Sequence, residues 1–159
     1  MITYFYKTSR LGSSFFKDQT GTPKYPMNFR KFIEANQFLF SFDFDGVLHT
    51  SMVPGTIHPL NYDKWETWKP YKAMHNQMRK DAQIADIIVV SSRHPDDEDV
   101  MWKFIRAYNL PVEQIHCTNM EPKLPILQNA GAVRHYDDNP NLKRELEGSG
   151  IEFILVKHI

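Results

Sequence analysis

Residues 38–48 read FLFSFDFDGVL, with phenylalanine at every second place: Phe38, Phe40, Phe42 and Phe44. Successive side chains on a strand point to opposite faces, so a period of two predicts a strand over 38–44 with one aromatic face. The other face carries Leu39, Ser41, Asp43 and Asp45, and Gly46 follows at once. Either this polar face is simply in water, or the strand aims two carboxylates into a site. The rest of the chain decides between the two.

Beyond Phe44 an irregular stretch runs through Pro70, and then helical and strand patterns alternate. Residues 71–82 have helical spacing, with Met74 and Met78 four apart. Residues 84–92 (IADIIVVSS) read as a buried strand, and 96–109 as a helix with acids in its first turn, where they suit the helix dipole. A short strand at 114–118 is followed by a helix over 123–131, with Gly131 as its C-cap. A strand at 133–136, a helix over 139–150 and a last strand at 151–156 complete the pattern. Alternating β and α with Ile/Val-rich strands predicts an α/β fold: three layers, Rossmann-like, around a central parallel sheet. Ligands of such sheets bind beyond the carboxyl ends of the strands. The strand ends carry Asp43 and Asp45, then Ser91 to Arg93, then Asp137 and Asp138, and Lys123 opens the helix after the third strand. Polar groups from separate strands converge at one edge, which favours the site over the solvated face.

Composition narrows the classes. The 159 residues suit one domain with a real core. Residues 1–37 are expected to form an N-terminal extension packed on the domain of 38–159; this segment is rich in turn formers and locally basic, and ITYFY has the pattern of a short strand and MNFRKFIEAN that of a short helix. Nineteen basic and nineteen acidic residues balance, which excludes a strong global attraction to nucleic acid or membrane but not a local patch. Cys117 is the lone cysteine, so an internal disulfide is excluded and a reducing, cytoplasmic setting is expected. There is no signal-peptide core at the start, no apolar run of about 20 residues, and no phosphate loop of the GxxxxGK[ST] type. Neither a membrane nor a dinucleotide cofactor is expected as a partner. The seven histidines lack HxH or HxxxH spacing, which disfavours zinc, and His94 reads as structural.

These signals, in this order, resemble the haloacid dehalogenase-like (HAD) superfamily of phosphotransferases. DFDGVL matches its first motif, Ser91 the second, Lys123 the third and HYDDNP the fourth. VVSSR and YDDNPNLKRELEGSGIEFILV look like the phosphatase half of bacteriophage polynucleotide kinases. The resemblance runs from about Phe38 to the C-terminus. It implies a HAD-type fold and a phosphatase acting on a phosphorylated substrate, a DNA or RNA end carrying a 3′-phosphate being the first candidate. Caps in such enzymes are inserted after the first motif or between the second and third, and neither interval has room for one with its own core, so no separate cap domain is expected.

The chemistry fits the residues. Phosphoryl transfer needs an in-line nucleophile, a proton donor and positive charge around the transferring oxygens. Asp43 is the candidate nucleophile, forming an aspartyl phosphate. Asp45 protonates the leaving oxygen and then takes a proton from the attacking water. Mg²⁺ suits an all-oxygen set of Asp43, the carbonyl of Asp45 and an acid of the final pair, with Asp138 preferred as direct ligand and Asp137 as the group orienting Lys123 or a water. Ser91 would hydrogen-bond a phosphoryl oxygen and Lys123 balance its charge. Ser92, Arg93 and Gly46 complete the substrate-binding set, Arg93 either on a second phosphate or bracing the acids. Tyr62, Trp65, Trp68 and Tyr71 are read as packing or as a base-stacking surface. The alternatives are a nucleotide or small-metabolite phosphatase and a non-catalytic HAD-fold binding protein. A response-regulator receiver fits poorly, because there the acidic pair comes first.

Overall fold

The aromatic stripe forms the middle of a parallel sheet. In the computed structural model, which describes residues 38–53, 56, 59 and 61–158, the strands are β1 (Phe38–Phe42), β2 (Ala85–Ser91), β3 (Gln114–Cys117), β4 (Arg134–Asp137) and β5 (Glu152–Leu155). They pair in the order β3-β2-β1-β4-β5, every pairing parallel. The helices are α1 (Lys72–Asp81), α2 (Glu98–Ala107), α3 (Leu124–Ala130) and α4 (Leu142–Leu146).

Alternation on the strands separates two cores. Phe40, Phe42 and Phe44 pack with Ile87 and Val89, Met78 of α1, and Met101, Phe104 and Ile105 of α2. On the opposite parity, Ile88 and Val90 pack with Leu127 of α3 and Leu142 and Leu146 of α4. All seven residues of β2 are buried, as expected for a parallel strand covered on both faces. The chain builds outward from β1 to β3, then returns to lay β4 against the other side of β1. The crevice at this reversal, beyond the carboxyl ends of β1 and β4, is where open α/β sheets bind ligands.

Several boundaries move. β1 stops at Phe42 rather than Phe44, because the chain turns: Val47 and Leu48 N–H donate to the Phe44 carbonyl, and Gly46 takes φ +79°. The last helix covers 142–146 rather than 139–150; Glu147 leaves helical geometry, and Gly148 and Gly150 both have positive φ. The described residues between His49 and Pro70 form a flap tied down by isolated bridges, Asp45–His49, His49–Pro70 and Met52–Pro59, with one 3₁₀ turn at Trp65–Thr67. His75 of α1 bonds the Leu48 carbonyl at 2.7 Å and anchors the start of this flap. The interval from Asp45 to Ser91 thus holds the flap, α1 and β2, and that from Ser91 to Lys123 holds α2 and β3. No insertion with a core of its own occurs among the described residues. The extension at 1–37, with its expected strand and helix, lies outside them. Among the described residues no helix is long and apolar enough to cross a membrane.

Candidate functional site

The acids at the ends of β1 and β4 meet across the crevice. Asp43 N–H donates to the Tyr136 carbonyl at 2.8 Å, which keeps the residue after β1 alongside β4. Carboxylate oxygens of Asp43, Asp137 and Asp138 lie within 4.8 Å of one another. Lys123, at the start of α3, reaches between the strands. Its Nζ is 2.9 Å from Asp43 Oδ1 and 2.7 Å from Asp137 Oδ2.

Asp137 is the best-satisfied member. Besides Lys123, it accepts from Asn139 N–H at 3.0 Å and contacts His135 Nε2 at 2.9 Å. Burial pushes its carboxyl up, but the His135 hydrogen bond and the Lys123 charge win and hold it well below the usual carboxylate range. His135 is fully buried, and burial lowers its pKa. Its neutral ring carries one proton, which faces the acceptor-only Asp137 from Nε2, while Nδ1 accepts from the Ser41 hydroxyl at 2.9 Å.

Asp43 and Asp138 are the strained members. Burial, then the charge of Asp137, raises Asp43 well above its usual range against the pull of Lys123. The same two causes, burial and Asp137, raise Asp138. Lys123 itself is raised: burial opposes its charge, and Asp43 and Asp137 more than compensate. Two of the three carboxylates bond the Lys123 ammonium, and Asp138 instead has His158 at 3.7 Å.

Asp45 stands apart from that cluster. Arg93 grips it with two hydrogen bonds, Nε to Oδ2 and Nη2 to Oδ1, both 2.8 Å. His49 Nε2 lies 2.7 Å from the same Oδ1. Burial alone would raise Asp45, but the Arg93 and His49 hydrogen bonds outweigh it and the pKa falls. Arg93 is itself buried, bonds the Tyr62 carbonyl at 3.0 Å, and lies over the rings of Tyr62 and Trp68 at 4.1 and 4.8 Å. Of the two sequence readings for Arg93, bracing the acids is the one observed.

Asp43, Asp45, Lys123, Asp137, Asp138 and Ser92 line a cavity of about 590 Å³, with Met52 and Val53 of the flap as an apolar wall. Ser91 is buried behind it, its Oγ accepting from Arg93 N–H at 3.2 Å. Trp68 is packed against Phe44, His49 and Phe104 in the core, so it offers no stacking surface. Tyr62 covers Arg93, and Tyr71 donates to the Lys157 carbonyl at 2.8 Å. A larger hollow of about 890 Å³ along α4 and β5 has Glu147 as its single carboxylate and offers no comparable cluster.

The donor set fits a hard divalent cation. The three clustered acids offer oxygen only, and two of the three are raised by burial first and then by the charge of Asp137, and a cation would relieve the second of these causes. Gly46 adds a steric argument: a Cβ there would overlap the Asp138 carboxylate, so the missing side chain is what lets Asp138 approach the end of β1.

Sequence reading missed His49, His135 and His158, the last of which lines the cavity 3.7 Å from Asp138 Oδ2. A period of two places His135 on the same strand face as Asp137, a signal present in the sequence. His49 and His158 carried no such mark. Comparison of the chain with family models, curated proteins and solved structures finds no match.

Proposed function

We propose that the protein is a Mg²⁺-dependent phosphomonoesterase of HAD type, acting through an aspartyl phosphate on Asp43. The observation that carries this reading is the meeting of Asp43, Lys123, Asp137 and Asp138 at the β1/β4 crevice, in a cavity that Asp45 also lines. Asp43, Asp138 and, less freely, Asp137 would hold the cation. When bound, it neutralises acids and phosphoryl oxygens that would otherwise repel one another.

In the first step Asp43 Oδ attacks phosphorus, the P–O bond to the leaving group breaks, and Asp45 gives its proton to the departing oxygen. In the second, water attacks phosphorus, the P–O bond to Asp43 breaks, and the water proton passes to Asp45. Inorganic phosphate leaves and both carboxyls are restored. The Arg93–His49 clamp favours ionised Asp45 before substrate arrives. A phosphate ester entering beside it adds negative charge, which raises a carboxyl's proton affinity. Lys123 offsets charge on Asp43 and the phosphoryl group, and Ser92, which lines the cavity, binds the phosphoryl oxygens, with Ser91 buried behind it holding the Arg93 amide.

The preferred substrate is a phosphate-terminated nucleic-acid end, because a site over which the described residues build no cored cap admits the end of a long chain. A second reading, a mononucleotide or small-metabolite phosphatase, is favoured by one observation: Arg93 is buried, bonded to Asp45 and the Tyr62 carbonyl, and does not line the cavity where a neighbouring phosphate would sit. A phosphatase screen with Mg²⁺ decides between them, comparing oligonucleotide 3′- and 5′-phosphates, mononucleotides and sugar phosphates at low and high salt. Higher kcat/KM for oligonucleotides, shrinking with salt, supports the first. Equal or better turnover of mononucleotides or sugar phosphates at low salt selects the second, and no phosphate release from any substrate overturns both.

A further inference from the structure

His49 belongs to no motif, yet it is fully buried at the edge of the candidate site. Its ring stacks on Trp68, with centroids 4.9 Å apart and planes 18° from parallel, and meets Phe44 edge-on at 5.5 Å. The ring cannot turn without displacing that aromatic box. Its two nitrogens have different partners. Nδ1 accepts a hydrogen bond from Ser51 N–H at 3.2 Å, and a nitrogen that accepts carries no proton. The ring proton therefore sits on Nε2, 2.7 Å from Asp45 Oδ1.

A carboxylate has about two acceptor positions on each oxygen. Both positions on Asp45 Oδ1 are filled, one by His49 Nε2–H and one by Arg93 Nη2–H. Oδ2 receives Arg93 Nε–H alone among the described residues. Among the described residues, the acceptor position left open on the Asp45 side chain, which lines the cavity, is thus on Oδ2.

We propose that His49 is a positioning residue for Asp45: by holding the Nε2–H tautomer against Oδ1 it completes the saturation of that oxygen and leaves Oδ2 as the atom that exchanges a proton with substrate. This rests on the phosphatase reading for its kinetic consequence, but the tautomer and the fixed carboxylate are properties of the folded chain. The aromatic box sets the ring plane, the Ser51 amide sets the tautomer, and the turn through Gly46 brings His49 back beside Asp45.

Two measurements test it. Long-range ¹H–¹⁵N correlation of the histidine side chains in the intact wild-type chain reads the tautomer without any need for turnover. A neutral Nε2–H ring for His49 is expected, and an Nδ1–H ring overturns the proposal. Kinetics of His49→Phe and His49→Gln then use two leaving groups, an alkyl phosphate that needs a proton donor and p-nitrophenyl phosphate that needs little. For His49→Phe, kcat/KM with the alkyl ester should fall about tenfold or more, the aryl ester should change less than about threefold, and circular dichroism should remain native. His49→Gln, which keeps a donor at the position of Nε2, should recover most of the loss. Equal losses on both esters, or a Gln variant no better than Phe, make His49 a packing residue and overturn the proposal. A wild-type chain that releases phosphate from neither ester and from no oligonucleotide, mononucleotide or sugar phosphate refutes the phosphatase reading instead, and the tautomer measurement still stands or falls alone.

Discussion

Gly46 and Asp138 come from opposite ends of the domain and occupy each other's space. A Cβ on Gly46 would stand 2.7 Å from Asp138 Cγ and closer still to Oδ2. The φ of +79° at Gly46 independently disfavours any side chain. Gly46→Ala is therefore expected to displace Asp138, to destabilise the fold by about 1–3 kcal/mol, and to abolish the rise in Tm on adding Mg²⁺. Thermal melts with Mg²⁺ and with EDTA check this. A normal Mg²⁺-induced rise in Gly46→Ala would show that Asp138 does not need the space.

Asp43→Asn is expected to lose turnover while becoming no less stable. An amide is a poor nucleophile, but its neutrality removes a buried charge that burial and Asp137 already disfavour. Lys123 keeps its bond to Asp137, so no ammonium is orphaned. In metal-free buffer at pH 7, Tm should hold or rise by about 2–4 °C, the shift that about 1 kcal/mol produces in a domain of this size. Because the folded pKa of Asp43 is raised, the wild-type penalty fades as pH falls through it, so the variant's advantage should shrink on acidification. A clear drop in Tm at pH 7 would contradict the electrostatic argument, and retained Mg²⁺-dependent turnover would remove Asp43 from the mechanism.

Asp137→Asn should behave oppositely. Asp137 joins Lys123, His135 and the Asn139 amide, and its depressed pKa makes its ionised form a source of stability. That stability is present above the ordinary carboxylate value of 3.8 and is lost as pH falls through the lower folded value. The variant should lose about 3 kcal/mol at pH 7, with the gap to wild type closing in strong acid. Urea titrations at pH 7 and below pH 3.8 measure it. A gap that is the same at both pH values would mean that packing, not charge, sets the loss.

Arg93→Lys keeps the charge and loses the fork. One ammonium cannot supply both Asp45 oxygens and the Tyr62 carbonyl at 2.8–3.0 Å. With Asp45 free to rotate, kcat should fall about 10–100-fold while KM moves little. Steady-state kinetics on one active substrate check the split. A loss confined to KM would point to substrate contact by Arg93 instead.

Much of this site could be read before the chain folded. The two-residue period of Phe38 to Phe44 predicted the strand and its aromatic face, because side-chain direction along a strand is a local property, but β1 stops at Phe42 and the turn after it sets where Asp43 and Asp45 lie. The Ile/Val run of 87–90 predicted a strand buried on both faces for the same reason. Turn chemistry was less legible. The helix expected over 139–150 shrank to Leu142–Leu146, since Gly148 and Gly150 punctuate it from within, while for Trp68 the packing reading is the one the core shows.

What the tertiary structure alone decided is who partners whom. Sequence placed Asp45, Arg93, Ser41, His135 and Lys123 near strand ends or on strands, but hydrogen bonds between side chains carry no period. Arg93 chose Asp45 across 48 positions, and His135 bridged Ser41 across 94. Those choices follow from the order β3-β2-β1-β4-β5, which sets β2 and β4 on either side of β1. Arg93 therefore meets Asp45 from one side and Asp137 meets Asp43 and Lys123 from the other. The two acids that follow β1 line one cavity, yet one is held ionised and the other pushed toward its proton, because their neighbours arrive from different strands.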